Sequence, residues 1–264
     1  MVVGIIGVGR IGRALIEGFI ETKALDAKQI IANDRNIEKL RSLHAMGVQT
    51  VTKNSEVAKE ASTIIISVKP KDVSNVLYEI KEYSIGKLII SVAAGIETKS
   101  IEKQLEEKAR VIRVMPNIAC TVRECASVYC MGRNATYEDE QTVKNLFGAV
   151  GIVFRLPESL MDAVTGLSGS GPAYYFYIIK ALAEAGIKEG LPEDIAIKLA
   201  SQTAIGAGKI VLQSKMSLDE LIKMVCSPGG TTIEGLKALT QAGVEEGLKK
   251  AVKWATNRSK ELSM

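Results

Sequence analysis

The chain has 264 residues, of which 47% are hydrophobic and 24% are charged, and its formal net charge is +4. This composition supports one large or two medium folded domains and argues against disorder. A small, dispersed charge with only 5% aromatic residues argues against a nucleic-acid partner. We expect neither a signal peptide nor a membrane-spanning run of about 18 apolar residues, and therefore a cytoplasmic protein.

The cysteines and the histidine limit the chemistry that the chain can carry out. Cys120, Cys125 and Cys130 recur at equal spacing, but no histidine accompanies them, so no metal site is predicted. A chain of this size does not need disulfides, and we expect the four cysteines to be reduced thiols. His44, the single histidine, falls in an ordinary helical stretch. A histidine base is therefore not expected.

The stretch from Val2 to Gly12 predicts a buried strand, a glycine-rich turn and a helix in direct succession. Gly7, Gly9 and Gly12 follow the G-x-G-x-x-G spacing. The first glycine permits a tight turn, the second lets the backbone approach a pyrophosphate, and the third lets the helix pack against the strand. Free N–H groups at the helix start favour phosphates. The pattern predicts dinucleotide binding; the alternative is a glycine-rich turn without function.

Strands and helices are predicted to alternate through the first half of the chain. Further strands are predicted at 29–33, around 51, and at 62–68, 87–95, 110–114, 126–131 and 152–155. After Pro157 only helical patterns remain, at 160–189, 193–213, 218–225 and from Thr232 to the end. The prediction is an α/β Rossmann domain with a doubly wound, mostly parallel sheet at residues 1–156, and an all-α domain at residues 157–264.

The end of the second predicted strand indicates which cofactor to expect. NAD-binding folds usually place an acid there, about 20 residues after the glycines, on the ribose 2′-hydroxyl. This chain has Asn33, Asp34 and Arg35. Asparagine does not repel a 2′-phosphate and Arg35 can pair with it, so NADPH is favoured, whereas Asp34 leaves NADH open. The alternative for Arg35 is a solvated surface side chain.

Two more strand ends are expected to reach the same crevice. Val68, Lys69 and Pro70 follow one strand, and Ala93 and Ala94 follow the next. The small residues leave room for a flat nicotinamide ring. Lys69 either approaches a phosphate or ribose or is a solvated loop lysine.

The helical half contains two unusual turns. TGLSGSGPAY, at 165–174, places three glycines in a helical pattern, which admits either a closely packed helix or a ligand. CSPGGTTIEG, at 226–235, ends one helix, and Thr231 or Thr232 is predicted to cap the next. Its free N–H groups and hydroxyls can bind a carboxylate even though the turn contains no arginine. The alternative is a simple helix cap.

Six motifs carry a resemblance to a known family: GVGRIG at the start, VKP at 68–70, VAAG at 92–95, RVMPN at 113–117, DAVTGLSGSGPAY at 162–174 and SPGGTTIEGL at 227–236. With these the chain resembles pyrroline-5-carboxylate reductases over essentially its full length. The resemblance implies reduction of L-1-pyrroline-5-carboxylate to L-proline with NAD(P)H, the last step of proline biosynthesis. It also implies a helical domain that interlocks with a second subunit, in homodimers that can assemble into decamers.

The resemblance further implies individual site residues. The dinucleotide contacts that it implies are Ile6, Gly7, Gly9, Arg10, Ile11, Gly12, Asn33, Asn54, Val68, Lys69 and Ala94. The substrate contacts that it implies are Glu158, Ser227, Gly229, Gly230, Thr231 and Thr232. The chain departs from the family at Met224, where relatives can carry a polar residue, and at IACT (118–121), where many have a TPA-like run.

The implied reaction adds a hydride to an imine carbon and a proton to its nitrogen. An imine nitrogen is basic enough to arrive partly protonated, so a strong side-chain acid is not required. Thr232 is the candidate catalytic residue, since its hydroxyl can orient the ring through the nitrogen and relay a proton from water.

Three other functions are compatible with parts of this pattern. The β-hydroxyacid dehydrogenases share the two-domain plan, but their signature needs a lysine where this chain has Tyr175. A broader imine reductase would accept six-membered or carboxylate-free rings, and the SPGG loop favours a carboxylate without setting ring size. A non-enzymatic NAD(P)-binding redox sensor is the third.

Overall fold

The computed structural model describes residues 1–262, which form two compact units. One unit comprises residues 1–170 together with the end of the chain from Lys253, and the other is Gly171–Val252. The last strand ends at Arg155, next to the boundary expected from the sequence, but the compact unit continues to Ser170. A functional division between residues 156 and 157 stays a prediction.

The larger unit is built on one eight-stranded sheet. Its strands are β1 (Val3–Ile6), β2 (Ile30–Asn33), β3 (Gln49–Thr50), β4 (Thr63–Ile66), β5 (Leu88–Ser91), β6 (Arg110–Met115), β7 (Cys125–Met131) and β8 (Gly151–Arg155). They lie in the order β3-β2-β1-β4-β5-β6-β7-β8, and every neighbouring pair is parallel except β6 and β7. The predicted doubly wound, mostly parallel sheet is confirmed.

Helices cover both faces of this sheet, which is why β1, β2, β4 and β5 are buried along their whole length. The helices are α1 (Arg10–Glu21), α2 (Ile37–His44), α3 (Asn54–Glu60), α4 (Val73–Ile80), α5 (Thr98–Glu102), α6 (Tyr137–Gly148) and α7 (Met161–Val164). On one face, Phe19 of α1 meets Phe147 of α6 edge to face, with ring centroids 6.4 Å apart. On the other, Val57 of α3 and Leu77 of α4 belong to a second buried cluster.

The remaining helices are α8 (Gly171–Lys188), α9 (Glu193–Gln213), α10 (Leu218–Met224), α11 (Thr231–Gln241) and α12 (Val244–Leu262). Two predicted helices are interrupted. A π-helical turn at Thr165–Gly169 separates α7 from α8. The helix predicted from Thr232 to the end breaks between α11 and α12 at Gly243, whose φ of 68° is left-handed and terminates helices readily.

The smaller unit buries very little apolar surface within one chain. Among its residues, all of which are described, Ala183 and Ala196 are the buried apolar side chains. Large side chains such as Tyr177 (76% exposed) and Leu212 (71% exposed) face outward. So small a core cannot offset the conformational entropy lost on folding, so a further surface must cover these side chains.

Helix α9 corrects one expectation from the sequence. Of the helices within residues 1–262, it alone is long and apolar enough, by length and composition, to cross a membrane. The sequence alone predicts no such stretch, because the charged residues at the start of α9 and its lysines interrupt the apolar run. A helix that a subunit interface covers can have the same composition, so this property alone is weak support for a membrane.

Candidate active site

The strands β1, β2, β4 and β5 are parallel, so their carboxyl ends lie at the same edge of the sheet. β1 lies between β2 and β4, where the chain connections reverse direction, and ligands of open α/β sheets bind outside such a switch point. The Gly7 N–H donates to the Asn33 carbonyl (2.9 Å), and the Ser67 N–H donates to the Ile6 carbonyl (2.8 Å). The loops after β1, β2 and β4 are thereby held side by side.

The three glycines of the loop after β1 have three different surroundings. Gly7 has φ +95°, and a Cβ there would lie 2.7 Å from the Ser67 carbonyl oxygen. A Cβ on Gly12 would lie 2.1 Å from the Gly7 oxygen. Gly9, the N-cap of α1, has nothing within 4 Å of its Cβ position and no side-chain cap. The loop therefore combines a tight turn, close packing of the helix and one open approach to the backbone.

The end of β2 presents Arg35 outward and keeps its neighbours inward. The Asn33 side chain is buried, and its Nδ2 donates to the Val51 carbonyl (2.7 Å). The Asp34 carboxylate accepts the Val8 N–H at 2.7 Å. The Arg35 side chain is 75% exposed, with its Nη1 3.1 Å from Asp72 Oδ1. The Arg35 guanidinium is therefore the group at the end of β2 that is exposed enough to reach a 2′-phosphate.

Asn54 supplies an acceptor that the protein itself does not use. It begins α3, and its Nδ2 donates to Glu79 Oε2 at 2.8 Å, which fixes the orientation of the amide. Its Oδ1 is buried without a hydrogen-bond partner, a costly arrangement that a donor from a ligand would relieve. With the open space over Gly9 and the exposed Arg35, this orphan acceptor fits a bound dinucleotide.

The other predicted cofactor residues lie at the end of β1, at the start of α1 and on the segments that follow β4 and β5. Arg10 and Lys69 are exposed, whereas Ile11, Val68, Pro70 and Ala94 are half-buried, and Ile6 and Ala93 are buried. Ala93 is packed at the end of β5, two residues before the positive-φ Gly95. Their contacts with a cofactor stay predictions.

Glu158 is engaged by the protein. Its Oε1 accepts the Thr98 N–H (2.8 Å), and its Oε2 accepts the Thr98 hydroxyl (2.6 Å). Arg113, only 3% exposed, has its Nη1 3.5 Å from the same carboxylate, while its Nη2 is buried without a partner. Burial, with Glu158 nearby, raises the pKa of the Cys130 thiol to about 12, so this cysteine stays protonated. Glu158 therefore anchors the start of α5, and a substrate contact from it stays a prediction.

Asn117, within the RVMPN motif, has a structural role that its position in the motif does not indicate. Its Nδ2 donates to the Ser168 carbonyl (3.1 Å), and its Oδ1 accepts the Ala119 N–H (3.1 Å), which caps the turn at Ile118–Val122. A Cβ on Gly169 would lie 2.6 Å from Met115 Cε. Gly169 therefore lies against the flexible end of the Met115 side chain, and both interpretations of this turn, a closely packed helix and a bound ligand, stay predictions.

The turn between α10 and α11 belongs to the smaller unit. The Gly230 N–H donates to the Ser227 carbonyl (2.9 Å), and Gly229 has a φ of 70°. A Cβ on Gly230 would lie 2.4 Å from Ser227 Oγ and 3.0 Å from the Ser227 carbonyl oxygen, so a larger residue there would require the Ser227 hydroxyl to rotate away.

The prediction that a threonine caps α11 is wrong. Gly230 is the N-cap, in an extended conformation, because its bond to Ser227 turns the chain one residue before Thr231. Thr231 and Thr232 occupy the first helical turn and are exposed, and no side chain caps this helix. Neither hydroxyl is therefore consumed by capping, and the first N–H groups of α11 remain available to an anion.

Comparison with known proteins places both parts of the chain. Residues 158–262 match the family described as pyrroline-5-carboxylate reductase dimerisation, and residues 2–95 match the family described as NADP oxidoreductase coenzyme F420-dependent. A pyrroline-5-carboxylate reductase from Methanosarcina acetivorans is 45% identical over 262 residues, covering 98% of this chain and 97% of the relative.

The chain belongs to the pyrroline-5-carboxylate reductase family.

Solved structures of family members agree with this assignment. The structure of a Coxiella burnetii pyrroline-5-carboxylate reductase is 34% identical, with a TM-score of 0.92 over 99% of this chain and 98% of that one. A Plasmodium falciparum pyrroline carboxylate reductase with NADP bound is 29% identical, with a TM-score of 0.91 over 100% of this chain and 98% of that one. The chain is thus an NAD(P)-dependent oxidoreductase with a dimerisation domain that forms oligomers.

Gly9→Ala tests the open approach in the phosphate-binding loop. Nothing lies within 4 Å of the added methyl group, so we expect a melting temperature within about 3 °C of the parent. The same methyl group would obstruct a pyrophosphate, so we expect the KM for NADPH to rise about tenfold or more.

Gly12→Ala is the matched control, because its Cβ would collide with the Gly7 oxygen in the protein itself. It should lower the melting temperature clearly, as followed by differential scanning calorimetry. An unchanged KM in Gly9→Ala, or equal thermal losses in both variants, would contradict the assignment of roles.

Glu158→Ala tests whether this carboxylate stabilises the fold through Thr98 and Arg113 or binds the substrate. Removing it leaves Thr98 without its acceptor and the buried Arg113 without an ionic partner, so we expect about 2 kcal/mol less stability. Chemical denaturation measures the loss, with the exposed Glu107→Ala as control. Unchanged stability combined with a raised KM for the imine would instead assign Glu158 to the substrate.

Proposed function

We propose that this protein reduces L-1-pyrroline-5-carboxylate to L-proline with NADPH, the last step of proline biosynthesis. The observation that carries the proposal is the family match of residues 158–262, because this stretch contains the turn at Ser227–Thr232. Relatives that are named pyrroline-5-carboxylate reductases match nearly the whole chain. NADPH is preferred to NADH because the outward group at the end of β2 is the Arg35 guanidinium.

The helix N-terminus at the Ser227–Thr232 turn binds the substrate carboxylate in this proposal. The first N–H groups of α11 and the positive end of its dipole favour an anion. Ser227, Gly229, Gly230 and Thr231 shape this cradle without any arginine. A ring that lacks the carboxylate loses this interaction and binds poorly.

Thr232 orients the ring. Its hydroxyl accepts a hydrogen bond from the protonated imine nitrogen, which fixes the face of the ring that is presented for reduction. NADPH, when bound, supplies the hydride to the imine carbon. A strong side-chain acid is not required, because an imine nitrogen is basic enough to arrive partly protonated. Thr232 thus contributes mainly by positioning.

The cofactor lies along the carboxyl edge of the sheet. We assign its pyrophosphate to the loop at Ile6–Gly12 and its adenosine half to Asn33, Arg35 and Asn54. The loops at Val68–Pro70 and Ala93–Ala94 take the nicotinamide half, where small side chains leave space for the ring. The orphan Oδ1 of Asn54 and the open space over Gly9 support this assignment.

A homodimer completes the smaller unit. A second copy of this chain covers the exposed apolar side chains of α8 and α9, and dimers assemble further into decamers. This proposal is supported by the small core of the unit, in which two alanines are the buried apolar side chains, because so small a core leaves the other apolar side chains to be covered by a partner. The four free thiols support a cytoplasmic location, where cysteines stay reduced.

Substrate profiling tests the proposed reaction. Consumption of NADPH and of NADH is measured with pyrroline-5-carboxylate, a six-membered piperideine carboxylate and a carboxylate-free pyrroline. We expect the highest kcat/KM for NADPH with pyrroline-5-carboxylate, and at least tenfold less for the ring without a carboxylate. Equal rates on the carboxylate-free ring indicate a broader imine reductase, and cofactor binding without turnover indicates a redox sensor.

Thr232→Ala tests the orienting hydroxyl. We expect kcat to fall about tenfold while the KM for NADPH changes less than twofold, because the hydroxyl contacts the substrate alone. Thr232→Ser should restore most of the rate. Thr240→Ala, on the same helix, is the control, since its hydroxyl donates to the Leu236 carbonyl. A parallel loss of kcat, NADPH binding and melting temperature would make Thr232 a structural residue.

A further inference from the structure

Both carboxylate oxygens of Asp34 accept hydrogen bonds from backbone N–H groups of the protein. Oδ2 accepts the Val8 N–H at 2.7 Å, and Oδ1 accepts the Asn36 N–H at 2.8 Å. The side chain is only 12% exposed. Val8 stands between Gly7 and Gly9, so this hydrogen bond ties the phosphate-binding loop to the end of β2. An acid that sequence rules would assign to a ribose hydroxyl is used here to hold the loop.

Lys39 places a positive charge on the same carboxylate. Its Nζ lies 3.3 Å from Oδ2 and 3.5 Å from Oδ1 of Asp34, and its side chain is 40% exposed. It lies in the first turn of α2, five residues after Asp34. Arg35, the other cation here, is partly neutralised by Asp72. The local charge at the end of β2 therefore depends on whether Asp34 is compensated.

We propose that Asp34 is a positioning residue for the phosphate-binding loop and that Lys39 determines the preference for a 2′-phosphate by neutralising Asp34. This inference rests on the proposed use of NADPH. A 2′-phosphate carries a charge of about −2 and would be repelled by an uncompensated carboxylate at the end of β2. With Lys39 in place, Asp34 can hold Val8 without opposing the phosphate. The cofactor without the phosphate needs the Asp34–Val8 hydrogen bond as well, but the net charge of the Asp34–Lys39 pair does not affect its binding.

Direct binding of NADP⁺ and NAD⁺ to the full-length protein, measured by isothermal titration calorimetry, tests the inference without any substrate. Lys39→Met exposes the Asp34 charge, and we expect the ratio of NADP⁺ to NAD⁺ affinity to fall about fivefold. Asp34→Asn keeps an acceptor for the Val8 N–H and removes the charge, so NAD⁺ affinity should change less than threefold. In the double variant the ratio should return to within twofold of the parent.

Two further variants separate positioning from charge. Asp34→Ala removes the acceptor as well as the charge, so we expect both cofactors to lose about tenfold or more in affinity relative to Asp34→Asn, with the same ratio as in that variant. Lys28→Met is the matched charge control, because Lys28 is exposed at the other end of β2, before the strand begins. It should leave the ratio unchanged.

Three results would overturn the inference. A loss in Lys39→Met that persists in the Asp34→Asn background would mean that Lys39 contacts the phosphate directly. A ratio change in Lys28→Met as large as that in Lys39→Met would reduce the effect to overall charge. Parent-like NAD⁺ affinity in Asp34→Ala would remove the positioning role. A protein that binds both cofactors as expected but fails to reduce the imine would overturn the proposed reaction and leave this inference standing.

Discussion

The close contact between the first turn of α1 and the end of β1 is the constraint on which the larger unit depends. A single hydrogen in place of a side chain at Gly12 lets the helix start directly on the Gly7 carbonyl, 2.1 Å from where a Cβ would sit. This contact aims the first N–H groups of α1 along the carboxyl edge of the sheet, where phosphates are favoured. The loops after β2 and β4 are then bonded to the same place through the carbonyls of Asn33 and Ile6.

The smaller unit has the opposite character, because its own packing does not account for its stability. Its long helices present aromatic and aliphatic side chains outward, and its buried apolar residues are two alanines. Apolar area removed from water is the main favourable contribution to folding, so this unit derives its stability from what covers it. The family match to a dimerisation domain over residues 158–262 agrees with that requirement. We therefore expect folding and oligomer formation to be coupled in this part of the molecule.

The candidate site was predictable from the sequence wherever backbone geometry dictates the residue. Gly7 and Gly12 are needed by the turn and by the helix contact, so the G-x-G-x-x-G spacing located both. Side-chain partners were less predictable. Asp34 looked like a ribose acid by its position, but its carboxylate bonds to the Val8 N–H, which lies 26 residues away in the chain. Glu158 and Thr98 are 60 residues apart, and no local pattern indicates that they meet.

The sequence by itself determined the order of strands and helices, the mostly parallel sheet and the family, because these depend on local periodicity and on motifs of fixed spacing. The tertiary structure alone decided which polar groups are consumed within the protein and which stay open to ligands. Asn33 and Asp34 turn inward while Arg35 faces solvent, and Gly230 rather than a threonine caps α11. Such outcomes depend on which buried donors and acceptors lie within about 3 Å of one another, and long-range folding sets those distances.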